Sequence, residues 1–152
     1  MGTAHLFRNL PEVIAIAPGN YIFSKGEPAK LMYMIIEGEV DLLVGNAVVE
    51  TAGEGNFIGE MALIDAAARS ASARARSACR VFPIDETRFQ SLVRETPFFA
   101  LQVMKILADR LRKTNARVAA RPTAKPTARP KPKVNPKSSP KAKARKKTAK
   151  KA

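Results

Sequence analysis

Short apolar stretches, separated by turns that contain glycine, run along the chain from about residue 13 to residue 85. Strands this short, with turns this frequent, favour an antiparallel sandwich or barrel over βαβ units, which need long helical connections. The predicted strands are Val13–Ala17, Tyr21–Phe23, Leu31–Ile36, Val40–Val44, Ala47–Thr51 and Ser70–Ser77, followed by an apolar run around Pro83.

Three of these stretches support more detailed predictions. In the fourth strand, Val40, Leu42 and Val44 share one face, since side chains alternate along a strand. Ser70–Ser77 alternates serine or arginine with alanine, so its small alanine face should lie close against another layer. Pro83 cannot donate to a neighbouring strand, and we expect it at a sheet edge or a bulge.

The pattern becomes helical after Asp85. Thr87 is a candidate N-cap for a helix over Arg88–Arg94, and Thr96 followed by proline predicts a second helix over Pro97–Val118. A narrow apolar stripe on that helix comprises Ala100, Met104, Leu107, Leu111, Thr114 and Val118. The stripe either pairs with the same helix of a second copy, giving a homodimer, or packs on the strands of its own chain.

The positive charge is concentrated at the C-terminal end. The chain has 152 residues and a net charge of +14, and residues 121–152 hold 13 basic side chains, six prolines and no acidic residue. The first 120 residues are nearly balanced, with 14 basic and 13 acidic side chains. Because the end of the chain has almost nothing to bury, we predict a folded domain over 1–118 and a disordered Lys/Ala/Pro-rich tail over 119–152.

Such a tail should bind polyanions. Arg121–Ala152 would contact DNA or RNA without sequence specificity, through release of counterions and with no aromatic side chains to stack on bases. An acidic membrane surface is a further candidate partner. The remaining interpretation is a solvated extension without function.

The composition argues against catalysis. With only His5 and Cys79, the chain cannot form a His/Cys zinc cluster, and Cys79 is predicted to be a buried, inert thiol. Neither a P-loop nor a nucleophile elbow is present. The apolar runs are too short to span a bilayer, and Met1–Leu10 lacks a signal-peptide pattern. We therefore expect no enzyme, no metal, no transmembrane segment and a cytoplasmic location, with the nucleoid as a candidate site of association.

The most informative segment is 57–71. Met61–Asp65 has the composition of one helical turn, whose first amides have no partner within the helix and attract anions. The guanidinium of Arg69 can hold a phosphate through two donors, whereas the carboxylate of Glu60 suits hydroxyl groups beside that phosphate. This combination favours a sugar phosphate. The alternative is an ordinary surface ion pair between Glu60 and Arg69.

The same segment resembles a known motif. Phe57, Gly59-Glu60-Met61-Ala62-Leu63 and Arg69-Ser70-Ala71 match the phosphate-binding cassette of the cyclic nucleotide-binding domain family, which includes the bacterial catabolite activator protein and the regulatory subunits of protein kinase A. Upstream, Gly26-Glu27-Pro28-Ala29 and the segment 32–40 resemble the family's strand pair. The similarity covers about residues 6–118.

The resemblance implies a mainly β fold with C-terminal helices. It would be an antiparallel β-roll, or jelly roll, of the cupin-like double-stranded β-helix type over about 13–85, with helices over about 87–118. The family's transcription factors continue into a helix-turn-helix domain, whereas here only the basic tail follows the predicted helix.

The resemblance also implies a ligand site made of Gly59, Glu60, Met61, Ala62, Arg69 and Ser70. Glu60 would accept from the ribose 2′-hydroxyl, Arg69 would pair with the cyclic phosphate, and Ser70 would add a hydroxyl or amide contact. Backbone amides of the other three residues would complete the cradle. Serine at position 70 favours cAMP over cGMP. In place of the proline that commonly precedes the arginine, this chain has Ala66-Ala67-Ala68, which we expect to loosen the loop and weaken affinity.

Two functions follow as hypotheses. The first is a cyclic nucleotide-binding regulatory module that signals through a dimer, through its basic tail, or through both. The second is a nucleoid-associated architectural protein in which the β-roll only dimerises the DNA-binding tails and binds no nucleotide.

Overall fold

The computed structural model of the protein describes residues 3–120. The predictions for the basic segment 121–152 lie outside the described residues. The helices are α1 Ala4–Phe7, α2 Met61–Ile64, α3 Glu86–Glu95 and α4 Pro97–Ala120. The strands are β1 Ile14–Ile16, β2 Tyr21–Phe23, β3 Met32–Glu37, β4 Val40–Val44, β5 Ala47–Ala52, β6 Phe57–Ile58, β7 Ser72–Ala75 and β8 Cys79–Ile84.

The strands form two four-stranded antiparallel sheets. The first has the order β1-β8-β3-β6 and the second β2-β7-β4-β5. The prediction of antiparallel sheets followed by C-terminal helices is confirmed. The finer assignment to a cupin-like double-stranded β-helix stays a prediction.

Two hydrophobic clusters cover opposite faces of the first sheet. One joins its side chains Ile35, Ile58 and Val81 to side chains of the second sheet, among them Ala73 and Ala75. The other packs the opposite face of the first sheet against the helices. Because the first sheet is covered on both sides, β3 and β8 consist of nearly continuous apolar residues instead of an alternating pattern.

The alanine face of β7 behaves as predicted. Ala73 and Ala75 are fully buried between the sheets, and β7 pairs with both β2 and β4. The thiol of Cys79, at the start of β8, is also buried, as expected, and its sulfur lies 3.0 Å from the carbonyl oxygen of Glu39 and 3.1 Å from that of Ser77. Small side chains here allow the two sheets to approach each other.

The predicted face of β4 is only partly correct. Val40 and Leu42 contact the cluster between the sheets, but Val44 is exposed and Leu43 is buried instead. The register between β4 and β5 shifts between Leu42 and Leu43. An irregularity of this kind interrupts the alternation of side chains, which a period of two cannot anticipate.

Two further details concern the first sheet. The short strand β6 was not predicted as a strand, because its two residues directly follow the turn at residues 53–56. Pro83 lies in β8, an inner strand that pairs with β3 at Tyr33, but the pairing with β1 reaches only Val81. On the side of β1, Pro83 therefore lies at a local sheet edge. No strand pairs with it there, so the absence of an amide hydrogen breaks no hydrogen bond of the sheet.

The helices begin close to their predicted positions. The N-cap of α3 is Asp85, whose carboxylate accepts from the amide of Arg88 at 2.7 Å, so the assignment of Thr87 as the cap is wrong. An aspartate side chain at the first non-helical position is as good a cap as threonine. Helix α4 begins at Pro97, as predicted, and ends at Ala120, two residues beyond the predicted boundary at Val118.

The apolar stripe of α4 has two separate environments. Phe99 and Val103 are buried against the first sheet, and Leu107 of the stripe packs beside them. In contrast, the stripe residues Met104, Leu111 and Val118 are 55–63% exposed. The chain's own strands therefore cover only part of the predicted stripe.

Candidate functional site

One cavity brings together the six residues predicted to form the ligand site. It lies between the cassette residues, β2, β4 and α4, and has a volume of about 100 Å³. The lining residues are Phe23, Ala29, Leu42, Gly59, Glu60, Met61, Ala62, Ala67, Ala68, Arg69, Ser70, Ala71 and Arg110.

Arg69 is 8% exposed and holds its guanidinium against backbone carbonyls. Nη2 donates to the carbonyl of Leu31 at 2.7 Å, and Nη1 donates to the carbonyl of Gly59 at 3.2 Å. The third nitrogen, Nε, is buried without a hydrogen-bond partner. Burial lowers the pKa of this guanidinium, while the charges of Tyr33, Glu27 and Glu60 act in the opposite direction. A buried donor without an acceptor is unfavourable, so Arg69 retains capacity for a ligand acceptor.

The backbone of Arg69 is fixed by the turn between β2 and β3. The amide of Arg69 donates to the carbonyl of Glu27 at 3.0 Å, and its carbonyl accepts from the amide of Gly26 at 2.8 Å. The preceding loop contains Ala66, which has a positive φ of 53°, and Asp65, which accepts from the amide of Ala67 at 3.0 Å. The loop that leads to Arg69 is therefore held by defined contacts, although it lacks the proline that commonly precedes this arginine in the family.

Glu60 is also 8% exposed and faces the same cavity. Its Oε1 accepts from Nη1 of Arg110, on α4, at 2.8 Å. The alternative of a surface ion pair between Glu60 and Arg69 is therefore wrong, because both side chains are buried and Glu60 has its cation from the helix.

Arg110 joins three elements around the cavity. Besides Glu60, its Nε contacts the carboxylate of Glu50 on β5 at 3.0 Å, and its Nη2 donates to the carbonyl of Phe57 on β6. Arg110 was not among the predicted site residues. A signal was present, because Arg110 follows Val103, Ile106 and Leu107 on the packed face of α4 at helical spacing.

The remaining predicted residues contribute in different ways. The amide of Ala62 donates to the carbonyl of Gly59 at 3.2 Å, so this donor belongs to the helical turn in the present structure. Met61 and Ser70 are exposed at the mouth of the cavity. The roles of these residues toward a ligand stay predictions.

Two absences hold for residues 3–120, the part of the chain that the structure describes. Within that part of the chain, no group of three or more His, Cys, Asp or Glu side chains is placed to hold a metal ion. None of the helices described there combines the length and the apolar character needed to cross a membrane.

Comparison with known proteins identifies the fold. The CRP-like cAMP-activated global transcriptional regulator of Mycobacterium tuberculosis is 29% identical over 108 residues, which are 66% of this chain and 47% of the regulator. The c-di-GMP responsive global regulator CLP of Xanthomonas campestris matches with a TM-score of 0.67 and 25% identity, over 75% of this chain and 61% of that one. The catabolite activator protein of Thermus thermophilus has the same coverage, with a TM-score of 0.61 and 28% identity.

A match to a sequence profile defines the family. Residues 13–96, more than half of the chain, match the sequence profile of the cyclic nucleotide-binding domain. The chain therefore belongs to the cyclic nucleotide-binding domain family. It spans about half or less of the length of the curated relatives that it matches.

Arg110 should contribute strongly to stability. We expect Arg110→Met to lower the free energy of unfolding by about 2–4 kcal/mol, because the buried carboxylate of Glu60 then loses its cation. Urea titration followed by circular dichroism measures this loss. The matched control is Arg112→Met, on the same helix but 77% exposed and paired only with Asp109, which should change stability by less than about 0.5 kcal/mol. Equal losses in both variants would contradict the assignment.

Proposed function

We propose that this protein is a regulatory module that binds a cyclic nucleotide, cAMP in preference to cGMP, and catalyses no reaction. The observation that carries the proposal is the convergence of two buried, oppositely charged side chains, Glu60 and Arg69, on one cavity. A cytoplasmic location is part of the proposal. The alternative of a β-roll that binds no nucleotide has no specific observation in its favour.

The two charges suit different parts of one ligand. Arg69 would give a charge-assisted hydrogen bond to the cyclic phosphate. Its Nε, which has no hydrogen-bond partner in the structure, would be the donor. Glu60 would accept from the ribose 2′-hydroxyl while it keeps its contact with Arg110. A carboxylate has enough acceptor sites for both donors.

The choice of cAMP rests on two observations. Ser70 lines the cavity at the position where the family resemblance favours adenine, and the M. tuberculosis relative is named as cAMP-activated. The X. campestris structure, with a similar fold, is named as responsive to c-di-GMP. The titrations below therefore include cGMP and c-di-GMP as competitors.

Calorimetric titration tests the proposed ligand and the two charged residues. Wild-type protein should bind cAMP, and Arg69→Lys should weaken binding about 10- to 100-fold, since a lysine cannot reproduce the fork of donors. Arg76→Lys, the same change at an exposed position beyond β7, should bind as wild type. No heat at millimolar cAMP, cGMP and c-di-GMP would overturn the proposal.

Glu60 is tested by pairing a variant with a modified ligand. Wild-type protein should prefer cAMP over 2′-deoxy-cAMP by about tenfold or more, the worth of a hydrogen bond to a charged group. Glu60→Gln should reduce this ratio toward one, because the carboxylate acceptor is gone. A ratio that is unchanged in Glu60→Gln would remove the assigned role, while the cAMP titration would still decide whether nucleotide binds.

We further propose that α4 pairs with its counterpart in a second copy. The exposed residues Met104, Leu111 and Val118 follow one another at intervals of seven, which keeps them on one side of the helix. Sedimentation equilibrium should give twice the chain mass of 16.5 kDa. Leu111→Glu should give the monomer, and Arg112→Glu, on the neighbouring helix position, should remain dimeric. A monomeric wild-type protein at about 100 µM would contradict this pairing.

The basic segment 121–152 is proposed to bind nucleic acid. Its 13 cations should release counterions from duplex DNA, giving a slope of log K against log salt of about −6 if half of them contact phosphates. Fluorescence anisotropy with two unrelated duplexes measures the slope. A variant with the same tail residues in reverse order should bind equally, whereas deletion of 121–152 should abolish binding. Retention of DNA binding after the deletion would refute the proposal.

A further inference from the structure

The guanidinium of Arg69 lies on an aromatic surface that the residue roles given above leave unexplained. Its Cζ is 4.1 Å from the centroid of the Phe23 ring and 6.0 Å from that of Tyr33. The two rings are stacked on each other, with centroids 6.2 Å apart and planes inclined by 24°. Distances of this size are those of cation–π contacts.

The backbone at Gly59 restricts the guanidinium further. A Cβ atom added to Gly59 would lie 2.4 Å from Nη1 of Arg69 and 3.2 Å from Cε1 of Phe23. Gly59 also has a φ of +74°, which glycine adopts without strain. The backbone at Gly59 therefore packs directly on the arginine and the ring.

These contacts restrict different motions of the same group. The carbonyls of Leu31 and Gly59 accept hydrogen bonds from the two terminal nitrogens of the guanidinium, and the ring of Phe23 lies against its central carbon. An arginine side chain otherwise has large rotational freedom, which binding would have to remove. The aromatic contact thus supplies orientation that hydrogen bonds to two carbonyls cannot supply alone.

We infer that Phe23 is a positioning residue, whose ring holds the Arg69 guanidinium in the orientation that receives the phosphate of the ligand. This inference rests on the proposed function for the identity of the anion. Phe23 is suited to the role because it is buried, ends β2 and itself lines the cavity. Burial disfavours the charged form of Arg69 and lowers the pKa of its guanidinium. The face of the Phe23 ring compensates for part of this cost.

The test replaces the aromatic ring of Phe23 by an apolar side chain that has no ring. In the full chain, Phe23→Leu and, as a second variant, Phe23→Met should bind cAMP about tenfold more weakly than wild type, the range of a desolvated cation–π contact. The matched control is Phe7→Leu, since Phe7 is 8% exposed against 7% for Phe23 but packs on Phe82 in the other cluster. Phe7→Leu loses a similar amount of packing but no contact with Arg69. Its affinity for cAMP should therefore stay within about twofold of the wild-type value. Equal weakening in the control, or none in the Phe23 variants, would overturn the inference.

A second measurement is independent of any ligand. In the nucleotide-free protein, the Nε–H proton of Arg69 should have an NMR shift displaced by the ring current, and Phe23→Leu should return it toward the shifts of the other arginines. Phe7→Leu should leave it in place. If wild-type protein bound no cyclic nucleotide, the proposed function would fail while this shift still decided whether Phe23 holds the arginine. An Arg69 resonance unmoved by Phe23→Leu would overturn the positioning role.

Discussion

The burial of the Arg69 guanidinium is the constraint on which the site depends. A charged group removed from water must be compensated by acceptors and by polarisable neighbours. Here, the compensation comes from the carbonyls of Leu31 and Gly59 and from the face of Phe23. These groups belong to three separate chain segments, so the turn after β2, the start of β3 and the cassette must assemble together before the arginine can be buried.

A second arginine, which is partly buried, links the cavity to the last helix. Arg110 contacts carboxylates of Glu50 and Glu60 and the carbonyl of Phe57. Because Glu60 faces the cavity, a group that approaches this carboxylate from the cavity shares it with Arg110. The ion pair of Glu60 and Arg110 therefore contributes both to the charge of the cavity and to the contact between α4 and the strands. A change in one alters the other.

Sequence patterns predicted which cassette residues lie together better than they predicted the details of the sheets. The cassette residues Glu60 and Arg69 do converge on one cavity, because they belong to a local motif with fixed spacing. The bulge that exposes Val44 and the carboxylate cap of α3 depend on pairing and on side-chain geometry, which a pattern of apolar residues does not contain. The role of Arg110 depends on a contact between residues 50 positions apart, and the aromatic surface under Arg69 depends on the packing of β2 against β3.

The same packing bears on the proposed role of Arg69 toward a phosphate. In this structure the acceptors of Arg69 are the neutral carbonyls of Leu31 and Gly59. A phosphate carries a negative charge and would add a Coulomb attraction to the hydrogen bond, so it would be a stronger partner than either carbonyl. The carbonyls keep the guanidinium ordered and buried. A tighter ion pair at Arg69, such as the one that Arg110 gives Glu60, would instead compete with the ligand.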